Sequence, residues 1–172
     1  EYYYKNSNKN NHRKSREIIY TQTINLINEY NLDSSLVYFI NLGSSSGLDL
    51  LFFMEKFNNI NYISSDVNKE IIDFQKEITF KNNLNVKYIE GSIEIIITEI
   101  NKKLTINPKS KFIFFCNGTI QYVIPFRLNQ MFYNLKNFNN QFYFIASEQF
   151  RNVKNNNLSF HVKNILWHHN IK

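Results

Sequence analysis

The stretch Val37–Gly47, VYFINLGSSSG, decides the fold. Its apolar run breaks at Asn41-Leu42 into a loop of Gly43, Ser44, Ser45, Ser46 and Gly47, and the amphipathic run GLDLLFFMEKF follows at once. A strand, a small-residue loop and a helix in that order bring a ligand against bare backbone N–H groups at a helix N-terminus. Further on, the apolar run INYISS ends in Asp66. A small-residue turn after one strand and an acid after the next point to a bound nucleoside that carries a ribose.

Outward from this stretch the chain alternates. Before it, Lys14 to Tyr30 reads as a helix, with Ile18, Ile19, Thr23, Ile24, Leu26 and Ile27 forming a rough apolar stripe. The expected strands are Leu36 to Leu42, Ile60 to Ser65, Val86 to Ile89, Lys111 to Cys116 and Phe142 to Ala146. Between them, helices are expected over Gly47 to Phe57, Asn68 to Phe80, Ser92 to Lys103 and Pro125 to Phe138, the last with Pro in its first turn. Leu158 to Ile171 carries no decisive pattern. The first, fourth and fifth strands are nearly continuous apolar runs, as in strands covered on both faces. Strands separated by helices build βαβ units. The expectation is an α/β protein, a three-layer α/β/α sandwich with a mainly parallel doubly wound sheet and one domain over 1–172.

The bulk numbers agree with a folded domain. The chain has 172 residues, 43% hydrophobic and 20% charged, which is globular rather than disordered. The frequent Asn, Ile and Lys are read as a coding bias without functional content. The net charge is +6, with the densest basic patch at Lys5, Lys9, His12, Arg13, Lys14 and Arg16. Elsewhere single lysines stand among asparagines, a solvated surface rather than a track for a polyanion. Cys116 is the only cysteine, so no internal disulfide forms and an oxidising compartment is not implied. No apolar run approaches membrane-spanning length. A cytoplasmic location is the expectation, and the start at Glu1 without Met suggests an excerpt of a longer chain.

The Gly43–Gly47 loop has three candidate owners. A phosphate-binding P-loop needs Gly-Lys-Ser or Gly-Lys-Thr at its end, and here Leu48 and Asp49 follow Gly47. A nicotinamide dinucleotide site needs G-x-G-x-x-G, which Gly43-x-x-x-Gly47 does not supply. The loop partly resembles that of short-chain dehydrogenases, but Asp49 replaces their third Gly and the chain contains no Tyr-x-x-x-Lys pair.

The third owner fits best. The chain resembles the class I S-adenosylmethionine-dependent methyltransferases, whose first motif is an acid, any residue, then G-x-G-x-G. It stands here as Asn41-Leu42-Gly43-Ser44-Ser45-Ser46-Gly47, with Asn41 in place of the acid and Ser45 in place of the middle Gly. The resemblance runs from about Lys14 to Glu148 and rests on the order and spacing of the pieces. It implies a Rossmann-like sheet in the order 3-2-1-4-5 and S-adenosyl-L-methionine as cofactor. Asp66 at the end of the second strand would accept hydrogen bonds from the ribose hydroxyls, with Val67 beside it. Gly91, Ser92 and Ile93 after the third strand would lie near the adenine, where an Asp is common. Cys116, Asn117, Gly118 and Thr119 after the fourth strand would lie beside the sulfonium. The remaining cofactor contacts implied are Asn41, Gly43, Ser44, Ser45 and Gly47. The domain then divides into a polar arm (1–13), an N-terminal helix (14–31), a cofactor-binding core (36–148) and an incomplete C-terminal segment (149–172). The antiparallel hairpin that usually adds two strands beside the fifth is expected to be missing. The fifth strand is therefore expected to be covered by a further domain or a second copy of the chain.

Methyl transfer from a sulfonium is an in-line displacement, in which a protein positions the partners and excludes water. A base is required only where the acceptor must lose a proton. No constellation of catalytic residues stands out, and the weak candidates for a base are Glu148 and His12. His161 and the pair His168-His169 lack metal-ligand spacing, so no metal is expected. Cys116 reads equally as a small core thiol, Asp66 also as a helix cap, and Tyr2, Tyr3 and Tyr4 as a polar arm or a lid. After the fourth strand, Cys116-Asn117-Gly118-Thr119 offers no Pro and no aromatic to stack a flipped base. The expected acceptor is therefore a small molecule, sugar or amino-acid-like, rather than a nucleic acid or a membrane. Two alternatives stay open: a non-catalytic Rossmann-like binding module derived from a methyltransferase, and an NAD-dependent oxidoreductase.

Overall fold

Strand, turn and helix follow one another at Val37–Gly47 in the computed structural model, which describes residues 10–29, 36–104, 107–151 and 160–169. The elements are α1 (Asn10–Glu29), β1 (Val37–Leu42), α2 (Leu48–Lys56), β2 (Asn61–Asp66), α3 (Lys69–Lys81), β3 (Val86–Glu90), α4 (Ile93–Leu104), β4 (Lys111–Asn117), α5 (Pro125–Lys136), β5 (Phe142–Arg151) and β6 (Phe160–His169). A short 3-10 turn, Ile120–Tyr122, stands between β4 and α5. The six strands form one sheet in the order β3-β2-β1-β4-β5-β6. The first five are mutually parallel, in the expected 3-2-1-4-5 order.

Both faces of the sheet are covered, which is why the central strands lack polar alternation. Successive residues of β1, β4 and β5 serve opposite cores. On one face Val37, Phe39, Tyr62, Ile113, Phe115, Tyr143 and Ile145 pack with Ile19 and Leu26 of α1 and with Leu50 and Phe53 of α2. On the other, Ile40, Leu42, Ile63, Phe112, Phe114, Phe142 and Phe144 pack with the isoleucines of α4 and with Met131 and Leu135 of α5. The Ile-rich segment IEIIITEI is a helix because Ile93, Ile96, Ile97 and Ile100 fall on one face and are buried there, while Ile95 points outward. That spacing overrides the strand preference of isoleucine.

The sequence-based expectation of a bare fifth strand is corrected. β6 pairs antiparallel with β5 from Phe142 opposite His169 to Arg151 opposite Phe160. β5 extends well past Ala146, so it offers a ladder long enough to hold a returning strand. The segment Leu158–Ile171 gave no signal because FHVKNILWHH mixes apolar and polar residues on both of its faces. Among the described residues one antiparallel strand, rather than two, lies beside β5. No described helix is long and apolar enough to cross a membrane.

Candidate functional site

Parallel strands place all their carboxyl ends on one edge, and ligands of such sheets bind outside that edge, where the strand order reverses. Here the reversal lies between β1 and β4. The loop after β1 turns through three residues with positive φ, namely Gly43 (65°), Ser45 (47°) and Gly47 (77°). Gly43 is required twice over. A Cβ on it would also lie 2.3 Å from Thr119 Cγ2, where the segment after β4 closes on the loop. Ser45 holds the same left-handed conformation with a side chain, at a cost of about 1–2 kcal/mol.

The loop is held by its neighbours. Ser44 N–H donates to Ser65 O (2.9 Å) and Gly47 N–H to Ser44 O (2.9 Å). Ser45 N–H donates to Asp66 Oδ2 at 3.0 Å. Gln75, buried on α3, reaches in from below, and its Nε2 donates to Ser44 Oγ (2.8 Å) and to Ser45 O (2.5 Å). Its Oε1 accepts from Ser64 Oγ at 2.5 Å.

Asp66 closes β2 and is 8% exposed. Its second oxygen, Oδ1, accepts Asn68 N–H at 3.0 Å, so both carboxylate oxygens receive main-chain donors. The helix cap itself is Asn68, whose Oδ1 accepts Glu70 N–H at 2.9 Å. Asp66 therefore fixes the capping residue rather than capping α3. Next to it, Val67 is 69% exposed on the same edge. Gly91 N–H donates to Asp66 O (2.9 Å), which joins the end of β3 to β2. Ser92 Oγ donates to Glu94 Oε1 (2.6 Å), and Arg127 of α5 stands 3.6 Å from the same oxygen.

On the β4 flank, Asn117 Nδ2 lies 3.2 Å from Asp49 Oδ2 and 3.4 Å from Oδ1. Tyr20 of α1 donates its hydroxyl to Asp49 Oδ1. It is aimed there by stacking on Phe52, with ring centroids 4.3 Å apart. Arg16 Nε stands 4.0 Å from the same carboxylate. Gly118 N–H donates to Ser147 O at 2.8 Å and anchors the loop after β4. Asn41, at the end of β1, is buried, and its Nδ2 has no hydrogen-bond partner among the described residues.

The structure thus brings Asn41, Gly43, Ser44, Ser45, Gly47, Asp66, Val67, Gly91, Ser92, Asn117 and Gly118 to one edge of the sheet. The side chains of two expected residues, Cys116 of β4 and Ile93 of α4, are packed into the core on the α4 and α5 face of the sheet. Of the base candidates, His12 is on α1 and Glu148 on β5, and the side chains of both lie outside the described residues, as do those of His161, His168 and His169. Tyr2, Tyr3 and Tyr4 also lie outside them. Three participants escaped the sequence reading: Asp49, Tyr20 and Gln75. Asp49 carried a weak signal as an acid in the first turn of a helix that follows a small-residue loop. Two open clefts lie elsewhere, one between β3 and α4 around Tyr88 and Glu99, the other at the opposite edge around Val37 and Ser110. Neither gathers the buried polar side chains found here.

No family model and no curated protein sequence matches the chain. Solved structures do resemble it. The PH0226 protein from Pyrococcus horikoshii OT3 superposes with a TM-score of 0.53 at 20% identity, over 85% of this chain and 65% of that one. The YcgJ protein from Bacillus subtilis gives 0.54 at 14% identity, over 78% and 53%. An S-adenosylmethionine-dependent methyltransferase from Clostridium acetobutylicum ATCC 824 gives 0.51 at 16% identity, over 86% and 70%. The chain spans 65% of the length of PH0226 and 53% of that of YcgJ. Likeness at such identity concerns the fold. With its parallel 3-2-1-4-5 sheet and antiparallel last strand, the chain has the Rossmann-like fold of the class I methyltransferases.

Proposed function

We propose that this protein binds S-adenosyl-L-methionine across the carboxyl edge of its sheet and transfers the methyl group to a small-molecule acceptor, sugar or amino-acid-like. The observation that carries the reading is the junction of the glycine-serine loop with the acid of β2, Ser45 N–H on Asp66 Oδ2 at 3.0 Å. It joins the two halves of a nucleoside site on a fold that methyltransferases use. The residues fit the group. An unpaired buried amide at Asn41 asks for a polar partner. Each oxygen of Asp66 keeps a lone-pair direction beyond the main-chain donor it already accepts, which suits a ribose hydroxyl. Val67 offers an exposed apolar face for the base.

When bound, the cofactor supplies the activated methyl group, a carbon attached to a positively charged sulfur. The chain's part is to hold and orient. The loop presents its backbone at close range because Gly43 and Gly47 lack side chains. Asn117 and Gly118 line the crevice at the switch point between β1 and β4. Glu148, on β5 just past its last parallel pair with β4, is the base offered to an acceptor that must lose a proton. The cytoplasmic location belongs to the same proposal.

The oxidoreductase reading has less support. A dinucleotide-binding sheet runs in the order 3-2-1-4-5-6 and is mostly parallel, whereas β6 here is antiparallel. A non-catalytic binding module draws its support from Asn41 and Ser45 in the motif. Thermal denaturation separates the three. S-adenosylmethionine and S-adenosylhomocysteine are expected to raise the melting temperature, by the equivalent of about 2.7 kcal/mol at a hundredfold excess over Kd, and NAD is not. Stabilisation by NAD alone overturns the proposal, and stabilisation by none of them leaves the binding module.

A further inference from the structure

Asp49 is the participant that neither the sequence motif nor the likeness to other structures singles out. It stands in the first turn of α2, two residues beyond the loop, and its side chain is 13% exposed. Three elements converge on its carboxylate: α1 through Tyr20 and Arg16, α2 itself, and β4 through Asn117. Two of these contacts are neutral donors, which satisfy hydrogen bonding and leave the charge in place. Arg16, the cation paired with it among the described residues, stands 4.0 Å away, and its own side chain is 44% exposed. A largely buried carboxylate held by neutral donors is a receptor for a cation.

The position of Asp49 says which cation. In the sheet β1 lies between β2 and β4. The loop that leaves β1 has one carboxylate on each flank, Asp66 at the end of β2 and Asp49 bonded to the end of β4. Asp66 is the ribose side. A nucleoside with a charged tail would run from Asp66 over the loop toward Asp49. Asn41 belongs to the same end. It pairs with Phe115 across β1 and β4, and Asn117 lies two residues on, pointing to the same side as Phe115. Where the resembling motif has an acid, Asn41 offers a neutral amide, and its Nδ2 is unpaired.

The geometry points to Asp49, on the helix, as the anionic contact for the ammonium of the cofactor's amino-acid end, in place of the acid missing at position 41. The assignment rests on the methyltransferase reading and adds a residue to it. The unpaired Asn41 Nδ2, a donor, then serves the carboxylate of that amino-acid end rather than its ammonium, and Tyr20 and Asn117 hold the Asp49 carboxylate in place.

Calorimetric titration of the whole chain tests this with two nucleosides. One is S-adenosylhomocysteine. The other is its deaminated analogue, which keeps the thioether and the carboxylate and lacks the amine. The wild-type protein is expected to prefer S-adenosylhomocysteine tenfold or more. In Asp49→Asn, affinity for S-adenosylhomocysteine should fall at least tenfold, while affinity for the deaminated analogue stays within twofold. Asn41→Asp added to Asp49→Asn should restore part of the preference. Equal loss for both nucleosides assigns Asp49 a purely structural role and overturns the proposal, as does no loss for either. Should Asp49→Asn not fold, the wild-type preference decides, because without it no group in the chain reads the amine. A wild-type protein that binds neither nucleoside overturns the methyltransferase reading itself, a different result from binding both equally.

Discussion

Asp66 carries two duties that one substitution exposes together. Its oxygens accept Ser45 N–H and Asn68 N–H, so it ties the loop to the start of α3 before any ligand arrives. Asp66→Ala is expected to lower unfolding free energy by about 1–3 kcal/mol, because two part-buried main-chain hydrogen bonds to a charged acceptor are lost. The same variant is expected to abolish the thermal shift with S-adenosylmethionine. Urea unfolding without ligand separates the two effects, and an unchanged midpoint would show that the two N–H groups find other acceptors. At this scale the sequence was legible where a residue's placement follows from its position in the chain, as for Gly43 in the turn and Asp66 at the end of β2. It was opaque where the role depends on a partner far away. Tyr20 meets Asp49 across 29 positions and Gln75 meets Ser44 across 31. No local pattern encodes such meetings, since they depend on how α1 and α3 lie against the sheet.

Among the elements, α2 shows how a helix end is secured without a capping side chain of its own. Tyr62 of β2 directs its hydroxyl at Phe53 O (2.8 Å) and Phe57 O (2.6 Å), the carbonyls at the C-terminal end of α2. Burial pushes the Tyr62 hydroxyl well above its ordinary value of 10.0. A group whose pKa is raised on folding binds its proton more tightly in the native state. Its contribution is therefore complete below pH 10 and is lost as pH rises further. Tyr62→Phe is expected to cost about 1–2 kcal/mol at neutral pH. It should also flatten the alkaline limb of the stability curve, so that the two proteins converge above pH 10, as denaturant titration across pH would record. The elements themselves were largely readable. Ten of the eleven have a period or a punctuation mark, such as Pro125 at the start of α5. β6 has neither, and only its ladder with β5 makes it a strand.

For the whole molecule, that ladder decides where the sheet ends. Ending the chain before Phe160 would uncover the backbone donors and acceptors of β5, one of the most apolar strands. Such an edge pairs with other chains. The shortened protein is expected to associate in a concentration-dependent way in sedimentation velocity, and a monomer at every concentration would show that β5 needs no cover. The order of the parallel strands was legible because alternation of strand and helix leaves few topologies. The hydrogen-bond chain that links Ser64, Gln75, Ser44 and Ser45 has a consequence for kinetics. Because α3 buttresses the turn from within, the turn is shaped before a ligand meets it. Little ordering entropy remains to be lost on association. The crevice should thus fill in a single fast step whose rate scales with ligand concentration, without a slow rearrangement afterwards.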